Sequence, residues 1–147
     1  MRRYIKTAIA FLMLGLAIGT RILIRREIFL RSPNPYEVSA HTHAILVGFV
    51  MMMILGVALW LFPRAERGEQ QYDPRLTAAA YWLLTIGTAG RIASELARAY
   101  STALWLRSAV VTGGLAQFAG IALFFFTMWP RIRSAGSQIR EAKGEKF

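Results

Sequence analysis

Cysteine is absent from the 147 residues, which excludes disulfides, thiolate metal sites, iron–sulfur clusters and covalently attached c-type haem. Histidine is scarce, represented only by His41 and His43. Acidic side chains are also few: eight Asp and Glu stand against 18 Lys and Arg, giving a formal net charge of +10. No polar stretch is long enough to form a soluble domain beside the apolar runs, and hydrophobic residues make up 55% of the chain. In a soluble protein such a basic surplus would point to nucleic acid. Here the basic residues sit at the ends of apolar runs, where they anchor helices at a membrane surface, so the expected partner is the lipid bilayer and no nucleic acid.

The runs themselves predict an all-α membrane protein, a four-transmembrane-helix bundle in a single domain over 1–147. Arg2, Arg3 and Lys6 precede the uncharged Thr7–Thr20, which ends at Arg21. This reads as a first helix over about 4–24, with Lys6 and Arg21 reaching the two surfaces. A cleaved signal peptide is the alternative, but no small-x-small cleavage site follows. Ser32-Pro33-Asn34-Pro35 is a turn signal, and Ser39 is the expected N-cap of a second helix over about 40–63, ended by Pro63-Arg64. A charged loop, 64–75, leads to a third helix over about 75–98, where Arg91 and Glu95 stand at ion-pair spacing. A short link at Tyr100-Ser101 precedes a fourth helix over about 101–130, uncharged from Ser108 to Trp129. Residues 131–147 form a charged tail. Four spans put both termini on one side, with eleven of the 18 Lys and Arg residues on that side and seven on the other. By the positive-inside rule both termini and the tail are cytoplasmic, in a bacterial or archaeal-type inner membrane, with the histidines near the outer face.

Ionisable or metal-binding side chains inside a membrane helix mark a functional site by default. Successive helical residues turn by about 100°, so His41 and His43 lie about 200° apart and look out of nearly opposite sides of their helix. They cannot both ligate one iron from the same helix. The plain alternative is a capping or headgroup role. A zinc or iron site of mixed ligands would have to borrow Glu37 or Glu95. Imidazoles among the small residues Gly15, Gly19, Gly48, Gly56, Gly113 and Gly120 suit haem better, because a flat macrocycle fills the space that small side chains leave.

The segment Ala40-His41-Thr42-His43-Ala44-Ile45-Leu46-Val47-Gly48-Phe49, continuing to Gly56 and Leu61-Phe62-Pro63-Arg64, resembles the second transmembrane helix of haem–copper oxidase and nitric oxide reductase catalytic subunits. In that family the helix opens with a histidine ligating a low-spin haem, and His41 stands in that place. The His-x-His pattern is also similar to the family's tenth helix, whose second histidine is the opposite ligand of the same haem; His43 matches it. The family subunit is a pseudo-threefold ring of four-helix units, and this chain looks like one third of it. The resemblance implies a homo-oligomer, a trimer by preference, with His41 of one protomer and His43 of the next as ligands of one haem. It implies haem b, with a or o variants possible, and a respiratory-chain redox partner. Arg91, Arg98 and Arg107 match the arginines that meet haem propionates, with Arg21 and Arg25 as further candidates. Met51, Met52 and Met53 read as packing residues. The further histidines that hold copper in the family are missing, so the chain is not a complete haem–copper oxidase and whether it is an enzyme stays open. Electron transfer or redox or gas sensing is the expected role, and a non-haem accessory or assembly subunit of a respiratory oxidase is the alternative.

Overall fold

In a computed structural model the described residues are 2–62, 74–132 and 143–144. They are helical throughout, with no strand among them. The helices are α1 (Arg2–Glu27), α2 (Pro35–Leu61), α3 (Pro74–Arg98) and α4 (Leu104–Met128), closed by a 3₁₀ turn over Trp129–Arg131. Three of them, α1, α2 and α4, are long and apolar enough to cross a membrane. The fourth, α3, is as long as α4 but carries Arg91, Glu95 and Arg98 in its last two turns. The chain is an all-α membrane protein.

α2 begins earlier than its sequence suggests. Asn34, in extended conformation, accepts a 2.9 Å hydrogen bond from the Tyr36 amide, and Pro35 occupies the first helical position. Asn caps and Pro at N1 both favour helix initiation, so the turn signal is itself the start. Ser39, expected as the cap, instead donates its hydroxyl to Glu95 Oε1 at 2.9 Å. The histidines therefore lie about 9 and 12 Å along the helix from Pro35, in its second and third turns rather than its first.

Directly after His43, α2 loosens into a π-helix over Ala44–Met51 and then returns to α geometry. The reason lies in the buried stripe. Ala40, Ala44, Gly48 and Met52 are all buried, at exact four-residue intervals. On a pure α-helix each such step drifts by about 40°; wider i→i+5 turns remove the drift and keep the stripe against α1. The facing stripe of α1, Tyr4, Ala8, Phe11, Gly15 and Ile18, alternates steps of four and three and needs no adjustment.

The helices follow one another as neighbours, α1 on α2, α2 on α3 and α3 on α4, with the last pair in the most intimate contact. There the backbones touch: a Cβ on Gly113 would lie 3.0 Å from Gly87 O and 2.9 Å from Arg91 Cβ. At the end where α1 begins, Tyr4 stacks edge-on against Tyr81 of α3 and Phe124 of α4, with ring centroids 5.0 and 5.8 Å apart. Thr7 and Tyr81 share a 2.7 Å hydrogen bond beside them. Arg131, expected at the head of the charged tail, is buried and donates to Phe62 O at 3.3 Å, tying the end of α4 to the end of α2. The loop within 64–75 up to residue 73, and the tail beyond 132 apart from Lys143 and Gly144, lie outside the described residues.

Candidate functional site

The two histidines sit on opposite flanks of α2, as their spacing requires, and each is held by a different neighbour. His41 packs on α1. Its Nδ1 is 2.8 Å from Gly15 O, and its ring covers Gly19, where a Cβ would come within 2.7 Å of Cε1 and 3.0 Å of Nδ1. Glycine at 19 is what makes room for the imidazole. Because a carbonyl only accepts, His41 donates from Nδ1.

His43 faces α3. Its Nδ1 lies 3.0 Å from Glu95 Oε2, and Ser39 Oγ is 3.4 Å away while bonding the other carboxylate oxygen. Glu95, almost fully buried, also accepts from Arg91 Nε at 3.1 Å across one helical turn. Arg91 Nη1 continues to Gln117 Oε1 of α4 at 3.0 Å, and Gln117 Nε2 donates to Thr88 Oγ1 at 3.1 Å. A polar chain thus runs from α2 through α3 to α4 inside an apolar bundle. Each member has a partner, which is what makes burial of such groups tolerable.

Among the described residues no hydrogen bond engages Nε2 of either histidine, and each ring stays partly exposed. Both Nδ1 atoms meet acceptors, one a backbone carbonyl and one a carboxylate. In metal sites, partners of these two kinds orient a ligating histidine and leave its other nitrogen to the metal. The setting fits an axial imidazole. No group of three or more His, Cys, Asp or Glu among the described residues could hold a metal ion by itself.

The five arginines divide. Arg21 and Arg25 converge on buried Glu37, Arg25 at 2.8 Å, and Tyr100 joins the cluster by bonding both Arg21 and Glu37. Arg91 belongs to the His43 chain. Arg98 donates to Tyr36 OH at 2.8 Å and lies over the Tyr36 ring, 4.7 Å from its centroid. Arg107 is exposed and lines a cleft with Tyr36, Arg98 and Val110. Met52 is wholly buried in the core, and Met51 and Met53 pack against it.

Sequence reasoning saw Glu95 as the partner of Arg91 but missed it as the acceptor of His43, 52 residues away. A carboxylate in an apolar run has to find every partner it can, and that was the available signal. Gln117, uncharged, gave none.

Buried polar groups strung between apolar helices, with two hydrogen-bonded imidazoles on opposite flanks of α2, belong to an all-α membrane protein. The family comparison agrees. The model described as "Cytochrome C and Quinol oxidase polypeptide I" matches residues 1–141, and the chain belongs to that family of haem–copper oxidase subunit I-like proteins. No curated protein and no solved structure matches it.

Proposed function

We propose that this member of the family is a small membrane cytochrome in which His41 and His43, contributed by adjacent protomers of a homo-oligomer, a trimer by preference, would ligate a low-spin haem. The observation that carries the reading is the pair of Nδ1 hydrogen bonds, to Gly15 O and to Glu95, which leaves Nε2 of each ring unengaged on opposite sides of one helix. Opposed imidazoles on one helix serve two sites, not one. Without cysteine the haem is not covalently attached, which makes it b-type in its retention, and it supplies one-electron transfer or, with one ligand displaced, binding of a small gas.

The protein's own residues supply the rest. Gly15 O and Glu95 fix the rings against rotation and set their tautomers. Ser39 and Arg91 hold the Glu95 carboxylate, and Gln117 holds Arg91. Physiologically this suits electron transfer with a respiratory-chain partner, or redox or gas sensing.

The test is a reduced-minus-oxidised visible spectrum of the purified protein beside His41→Ala and His43→Ala. A sharp low-spin signal lost in both variants supports ligation by both histidines. Loss in one alone indicates a different sixth ligand. A wild-type protein without haem, after expression with ample haem supply, overturns the reading and leaves an accessory subunit of an oxidase as the alternative.

A further inference from the structure

We propose that the cleft between the start of α2, the end of α3 and the start of α4 is a binding site for the phosphate of an anionic membrane lipid. It holds about 410 Å³ and is lined by Tyr36, Arg98, Arg107 and Val110. The inference does not depend on haem.

Three carboxylates occur among the described residues, and all are committed elsewhere: Glu27 to Arg26, Glu37 to Arg21 and Arg25, and Glu95 to Arg91 and His43. Neither Arg98 nor Arg107 forms an ion pair with a described residue, yet both line one cleft. Arg98 spends only Nη2, on Tyr36 OH, while its Nε and Nη1 are buried without a hydrogen-bond partner. Buried guanidinium donors left unpaired are costly, and with no carboxylate beside it the Arg98 charge favours an oxygen-rich anion in the cleft it lines. A phosphate meets this, since the planar fork of arginine matches its geometry. Arg107 lies in the first turn of α4, flanked by the strongly exposed Leu104, Trp105 and Val111, an apolar and aromatic surface of the kind that faces lipid at a membrane boundary. An anion reaching Arg107 comes from that surface, where the phosphates of lipid headgroups lie.

The experiment uses the full chain in nanodiscs of phosphatidylcholine containing a minor share of phosphatidylglycerol. Native mass spectrometry reads which lipid is retained on release. The wild type is expected to retain phosphatidylglycerol in preference, and Arg98→Gln and Arg107→Gln each to lower that preference about fivefold. Arg107→Gln removes an exposed side chain and so keeps the fold, which circular dichroism verifies. Unchanged preference in the Arg98→Gln/Arg107→Gln double variant overturns the proposal. Unchanged preference together with loss of haem from the same variant overturns it too and assigns the anion to a haem propionate instead.

Discussion

Gly19 and Glu95 do more for the site than their types suggest, because each sets one imidazole. Gly19→Ala puts a methyl 2.7 Å from His41 Cε1, so the ring must leave Gly15 O. The expected outcome is loss or weakening of the low-spin signal with the helical content intact, read by visible and far-ultraviolet spectra of the same sample. Gly90→Ala is the control, since nothing lies within 4 Å of a Cβ there, and both spectra should be unchanged. Glu95→Gln keeps the shape but removes the charge that orients His43. Loss of such outer partners weakens metal-site affinity about 10–100-fold, and a competition titration of the apoprotein against a haem acceptor measures it. An affinity equal to wild type would remove Glu95 from the site.

Among the elements, α2 carries the feature that composition conceals. Deleting Val47 shortens the π-helical stretch by one residue and rotates everything after it by about 100°. Met52, Leu55 and Gly56 then turn off α1, and the unfolding temperature in detergent should fall sharply; an unchanged value would show that α2 tolerates either register. Gly113→Val tests the α3–α4 seam, where the added atoms meet Gly87 O and Arg91, and overpacking of this kind costs about 1–3 kcal/mol. The helices were legible because uncharged runs of this length have few other fates, and so was the opposition of the two histidines, which is pure geometry. The start of α2 was misread because Ser39 has the right chemistry for a cap but spends its hydroxyl on Glu95, a contact between distant segments. The π-helix leaves no mark in a run such as Ala-Ile-Leu-Val-Gly-Phe-Val-Met; its cause is the spacing of small residues opposite α1. The division of the arginines needed the places of Glu37 and Tyr100, which sequence separates by 63 residues.

For the whole molecule, the abundance of exposed large apolar side chains on every helix suits lipid and further copies of the chain alike. Sharing of each haem between protomers has a direct test. Co-expressed His41→Ala and His43→Ala chains, each dead alone, should recover part of the haem signal in mixed oligomers, because an interface can then draw His41 from one chain and His43 from the other. No recovery, with mixed oligomers verified by mass, would place both ligands of a haem outside this sharing scheme. The two stations also differ in how they can change over time. The hold on His41 is written in the main chain, at Gly15 O, where no side-chain substitution deletes the acceptor. The hold on His43 is written in side chains, from Glu95 back to Gln117. Drift in sequence at Glu95, Arg91 or Gln117 can therefore retune the hold on His43 by small steps while the acceptor of His41 stays in place, so that identical subunits carry one fixed acceptor and one adjustable one.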